Sequence, residues 1–162
     1  MLEWTPLWLK TDLNASLYIA SLSILCWGGG EFIGRIYGEK IVNTYGVKFA
    51  AGYFGLFGCL IFFISILSAN VYVIIFGVFL FALSTSNFYP VVLMQGLKYT
   101  NESISITAAN ITTIAFSGFL IGPAIVGFLA ETFGLTFNVI ALCFIWAFNC
   151  LLFIYFINQL KK

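Results

Sequence analysis

Histidine is absent from the 162 residues, and only 8% of them carry charge. The first absence removes the commonest general base and metal ligand. The second excludes a water-soluble globule, because soluble domains average about 25% charged residues. Net charge is only +1, so there is neither a basic field for nucleic acid nor an acidic tail. The four cysteines, Cys26, Cys59, Cys143 and Cys150, form no C-x-x-C pair and lie inside apolar runs. They read as small buried hydrophobes, and neither a metal site nor a disulfide framework is expected. No phosphate-cradling G-x-x-x-x-G-K-[ST] loop and no nucleophile–base pair is present. Neither an enzyme nor a cofactor is therefore expected.

Apolar residues make up what is there: 62% are hydrophobic and 19% aromatic, with a mean hydropathy of +1.05. Disordered chains are apolar-poor, so disorder is excluded as well. Five long apolar runs cover about residues 15–33, 49–68, 71–94, 104–130 and 135–157. Each reaches the roughly 17–25 residues that cross a hydrocarbon core. A bilayer satisfies no backbone polar groups, so each run is expected to be a helix. Barrel strands would alternate in polarity every second residue, which these runs do not. The expected class is an all-α, polytopic membrane protein. The first run is not a cleaved signal peptide, because no basic segment precedes it.

The breaks between runs differ. Gly34–Lys48 reads as a long, charged, glycine-punctuated loop, although Gly30, Gly34 and Gly38 recur every fourth residue and so share one helix face that lets a neighbouring backbone approach closely. Ala69–Asn70 leaves room only for a tight hairpin turn. Ser103, after the polar stretch from Gln95, is placed to cap the fourth helix. With five spans, Arg35, Lys40, Lys48, Lys98, Lys161 and Lys162 fall on one side and Lys10 on the other. Positive charge is retained in the cytoplasm, so the C-terminus is expected inside and the N-terminus outside. The segment before the first run carries three charges, Glu3, Lys10 and Asp12. It reads like the end of an external loop whose upstream helix is missing.

Several polar residues lie within the runs. Asn110, Thr113 and Ser117 share one helix face, and Ser84, Asn87 and Pro90 follow one another on the third span. Such groups face either a wet cavity or a neighbouring helix as hydrogen-bond glue. Glu31 and Arg35 are spaced i, i+4 at a membrane edge. They fit an interfacial ion pair, and a proton-coupling role for Glu31 stays open. Trp27 is placed either to stack on a ligand or to pack. Pro90 and Pro123 would interrupt helices, as hinges or as static kinks.

Gly34, Arg35, Gly38, Glu39, Lys40, Gly46 and Lys48 resemble the cytoplasmic loop signature G-R-x-x-G-D-R-x-x-x-x-x-G-x-[RK] of the major facilitator superfamily (MFS). Glu39 replaces the usual aspartate and Lys40 the usual arginine. The stretch from Ile114 to Glu131, with Gly118, Gly122, Pro123 and Gly127, is similar to the eleventh helix of bacterial permeases of that superfamily. Glu3–Lys10 looks like the end of the seventh helix in fucose-permease-like members.

The resemblance implies that residues 1–162 form an incomplete C-terminal bundle, helices eight to twelve, whose missing helices come from another chain. It implies transport of a small solute, with a proton or by facilitated diffusion, through alternating access in a bacterial inner membrane. The loop would latch one conformation. Trp27, Glu31, Ser84, Asn87, Asn110, Thr113 and Ser117 would line the cavity. Pro90, Gly118, Gly122, Pro123 and Gly127 would serve packing and hinging. The other reading is a non-transporting membrane protein, an accessory subunit or a decayed fragment. Substrate identity is not encoded in these features.

Overall fold

The computed structural model describes residues 4–160; Glu3, Lys161 and Lys162 of the charge argument lie outside the described residues. All its regular structure is helical: α1 (Trp4–Thr11), α2 (Leu17–Tyr45), α3 (Phe54–Leu67), α4 (Val71–Thr85), α5 (Phe88–Tyr99), α6 (Ile104–Phe133) and α7 (Leu135–Gln159). A π-helical stretch, Lys48–Tyr53, runs directly into α3. Five segments are long and apolar enough to cross a membrane: α2, the π-helical stretch with α3, α4 with α5, α6, and α7.

Side-chain oxygens set the helix starts. Ser16 Oγ accepts from the Ile19 N–H, Asn70 Oδ1 from those of Tyr72 and Val73, and Ser103 Oγ from that of Ile106. Each satisfies a donor that the first helical turn leaves unpaired. The capping role read for Ser103 is thus met. Gly46 (φ +81°) and Gly134 (φ +85°) end α2 and α6 in a conformation that side chains disfavour. α7 begins straight after Gly134, which has no side chain to cap it. Asp12 supplies the acceptor instead, taking hydrogen bonds from Thr136 N (3.1 Å) and Thr136 Oγ1 (2.7 Å). Trp8 Nε1 donates to the same hydroxyl at 2.8 Å. α1 is thereby tied to the turn between α6 and α7.

One boundary differs from the sequence reading. Gly34–Lys48 is not a loop: α2 continues unbroken to Tyr45. Glycine inside a helix costs about 1 kcal/mol relative to alanine. Here Gly30, Gly34 and Gly38 are buried against the α4 end, where a Cβ would strike Phe79 O, Leu83 O and the Asn87 amide in turn. Close backbone packing offsets the propensity cost. Pro90 interrupts its span, as read from the sequence. It sits in the first turn of α5, and with no N–H it cannot donate to the carbonyl of Ser86, four residues back, so the helix breaks there. The interruption lies just before it, at Ser86–Asn87, between α4 and α5. Pro123 does sit inside α6, which continues through it.

The core lies between α3 and α4, flanked by α1, α2 and α7, and includes Trp8, Leu9, Phe62, Ile74, Val78, Phe81, Val139 and Cys143. Small residues interlock α3 and α4: Ser84 seats on Gly58, and Ser65 on Gly77. Both hydroxyls donate back into their own helices, to Phe81 O (2.8 Å) and Phe62 O (2.7 Å). Cys59, Cys143 and Cys150 are buried, as their apolar settings imply, whereas Cys26 is only half-buried. α6 stands apart, with Thr107 its single buried residue among those described.

Candidate functional site

One face of α2 presents Trp27, Glu31 and Arg35, each four residues from the last. At about 100° per residue these stack in one line along the helix. They border a cavity of about 380 Å³, closed by Phe81 and Thr85 of α4, Ser86, Tyr89 of α5, and Leu142, Ile145 and Trp146 of α7. Three spans therefore build it. Its walls are aromatic: Trp27 lies 5.7 Å from Phe81, Phe81 lies 6.2 Å from Trp146, and Trp146 lies 5.0 Å from Phe88. Offset and edge-on ring pairs at such distances hold each other in place.

Its polar groups are few. Arg35 Nη2 stands 4.0 Å from Glu31 Oε2, with side-chain exposures of 63% and 38%. That is a loose pair, open to a third party. Thr85 Oγ1 donates to Phe81 O at 2.9 Å and keeps its lone pairs free to accept, whereas Ser86 Oγ donates to Leu83 O at 2.9 Å and already accepts from Asn87 Nδ2. The Tyr89 and Thr112 hydroxyls lie 3.0 Å apart, linking α5 to α6 beside the cavity. Trp146 Nε1 is buried without a hydrogen-bond partner among the described residues. A Cβ on Gly55 would come within 3.8 Å of it, which places this nitrogen towards α3. Chemically the arrangement offers flat apolar faces, one anion, one cation and several hydroxyls, as a small polar solute with an apolar face requires.

The structure brings Trp27, Glu31 and Arg35 together. It adds Thr85, Tyr89 and Trp146, which sequence reasoning missed. Thr85 and Tyr89 lie four residues apart, a spacing that flags a shared face. Trp146 gives no such signal, since α7 is apolar around its whole circumference. Ser84 and Asn87, expected on a cavity face, are instead buried between helices. Ser84 fills the notch at Gly58, and Asn87 Nδ2 donates to Gly34 O at 2.9 Å and to Ser86 Oγ at 3.1 Å. Asn110, Thr113 and Ser117 are exposed on α6. Thr113 and Ser117 share a shallow groove with Thr112, Phe116 and Leu120. Ser117 Oγ donates back to Thr113 O at 2.8 Å.

Among the loop-signature residues, Gly34 and Gly38 are packing positions and Gly46 is the α2 terminator. Lys48 Nζ lies 5.3 Å over the Tyr53 ring. Glu39 and Lys40 are exposed, and neither forms an ion pair among the described residues. Gly118 and Gly122 have nothing within 4 Å of where a Cβ would stand, whereas Gly127 faces the Trp4 ring at 3.4 Å.

No protein-family model and no solved structure matches the chain. It is similar to an uncharacterized MFS-type transporter of Yersinia pestis, 31% identical over 134 residues, 81% of this chain and 34% of that protein. It is also similar to the membrane protein MosC of Rhizobium meliloti, 24% identical over 142 residues, 82% of this chain and 33% of that protein. The chain thus spans about a third of the length of the curated relatives it matches. Five apolar helices of spanning length and two membrane-protein relatives together describe a multi-pass membrane protein.

Proposed function

We propose that this chain is the C-terminal part of an MFS-type secondary transporter that moves a small solute by alternating access. The carrying observation is the cavity: one charged pair, free hydroxyl acceptors and four aromatic walls, built from three spans of a chain that aligns largely with an MFS-type transporter. Solute enters against Trp27, Phe81, Tyr89 and Trp146, and its polar groups bridge Glu31 and Arg35. Glu31 acts as the electrostatic partner of Arg35. Release follows when the α2 end, held to the Ser86–Asn87 break, shifts relative to α4.

The exposed row Asn110, Thr113 and Ser117 and the open ridge at Gly118 and Gly122 support a larger bundle. Helices in lipid associate through close packing at small residues and through hydrogen bonds, and this face offers both. The remaining helices of the transporter are its proposed cover, with a bacterial inner membrane as the setting and the C-terminus in the cytoplasm. The competing reading, a non-transporting membrane protein, draws on the same uncovered face.

The test is uptake of labelled small solutes by vesicles. This chain is produced alone, or together with the remaining helices of an MFS-type transporter. Saturable uptake is expected only for the combination. Saturable uptake by the chain alone would favour a small self-assembling carrier. Its absence in both, with rapid degradation, would favour the non-transporting reading.

A further inference from the structure

A second groove, of about 390 Å³, runs along the other side of α2 from the solute cavity. Ile33, Tyr37, Lys40, Ile41, Thr44 and Tyr45 line it, with Gly34 and Leu83 of α4 as its floor. The side-chain stripe recurs at helical spacing, and Ile33 points about 200° away from Glu31. The two sites are therefore separate.

The membrane fixes what each end of this groove meets. α2 has 29 residues, about 43 Å at 1.5 Å per residue, against a hydrocarbon core of about 30 Å. The excess falls at the polar end, where Glu39, Lys40, Asn43 and Thr44 lie. Ile33 and Leu83 thus stand at acyl-chain depth, and Lys40, Thr44 and Tyr45 among the headgroups. From Ile33 to Tyr45 the stripe runs about 18 Å, enough for a headgroup, a glycerol and the start of a chain. Lys40 has no carboxylate partner among the described residues, and Glu39 does not line the groove.

We propose that this groove is a binding site for an anionic phospholipid. The Lys40 ammonium meets the phosphate, the Thr44 and Tyr45 hydroxyls donate to its oxygens, and Ile33, Ile41 and Leu83 carry the acyl chain. A phosphatidylcholine headgroup would bring its own cation beside Lys40 and is disfavoured. The inference requires only that the chain spans a membrane, so it stands or falls independently of transport.

The purified chain is equilibrated with equal amounts of phosphatidylglycerol and phosphatidylcholine, and retained lipid is counted by native mass spectrometry. One lysine near a charged membrane surface contributes about 1 kcal/mol, so phosphatidylglycerol is expected to be retained about fivefold over phosphatidylcholine. Lys40→Gln should abolish that preference, and Lys40→Arg and Lys98→Gln, the latter outside the groove, should keep it. No headgroup preference in the wild type, or a preference equally lost with Lys98→Gln, would overturn the site.

Discussion

Arg35 and Asn87 show how differently polar residues are used in one chain. Arg35 is largely exposed and only loosely paired, so its contact with Glu31 contributes less than about 1 kcal/mol to stability. Arg35→Ala should leave membrane abundance close to wild type. In a complete transporter it should lower uptake by about 5- to 150-fold, the scale of a 1–3 kcal/mol coupling energy. Immunoblots of membranes beside initial uptake rates separate the two effects, and unchanged uptake would reduce Arg35 to a topology signal. The i, i+4 spacing of Trp27, Glu31 and Arg35 made this half of the cavity legible in the sequence. Thr85, Tyr89 and Trp146 were not, because which face of α4, α5 or α7 turns towards α2 depends on helix pairing. For Ser84 and Asn87 both a cavity face and interhelical packing were open, and for the same reason only the structure places them between helices. A polar side chain announces a need for partners, but the notches that meet it, Gly58 and Gly38, lie elsewhere in the chain.

The pairing of α2 with the α4–α5 break is the most constrained contact between elements. Asn87 reaches the Gly34 carbonyl across 53 residues of sequence, and its amide occupies the space a Cβ on Gly38 would need. Interhelical hydrogen bonds in membranes average about 0.6 kcal/mol and reach about 1.7 kcal/mol. Asn87→Ala should therefore destabilise the fold within that range. Gly38→Ala should cost more, because two groups would collide. The pair Gly38→Ala with Asn87→Ala should be less destabilised than Gly38→Ala alone, since the smaller side chain makes room. Unfolding in increasing sodium dodecyl sulfate measures all three, and simple additivity would show that the two residues do not touch. Hydropathy located all five apolar runs, and Ser103 marked its helix start. The every-fourth-residue spacing of Gly30, Gly34 and Gly38 put them on one close-packing helix face, but the charges after them look like a loop, and that α2 runs on to Tyr45 was missed. Pro90 marked the interruption, which falls one turn before it at Ser86–Asn87.

At the scale of the whole molecule, the helical class was legible because a bilayer excludes nearly every alternative for five such runs. What covers α6 was not, because a polar row and a glycine ridge state a requirement without naming its partner. The central claim is that the space between α2, α4–α5 and α7 is a watery solute path in a chain whose C-terminus is cytoplasmic. Sided thiol labelling tests this without knowledge of the substrate. In a cysteine-free background, Thr85→Cys probes the cavity, Phe76→Cys an exposed apolar position on α4, and Leu160→Cys the end of α7. Only a thiolate reacts with a maleimide, and thiols in hydrocarbon stay protonated. An impermeant maleimide is expected to label Thr85→Cys and to spare Phe76→Cys. Leu160→Cys should react in inside-out vesicles and not in right-side-out ones. Thr85→Cys as silent as Phe76→Cys, or Leu160→Cys reacting only in right-side-out vesicles, would contradict the account.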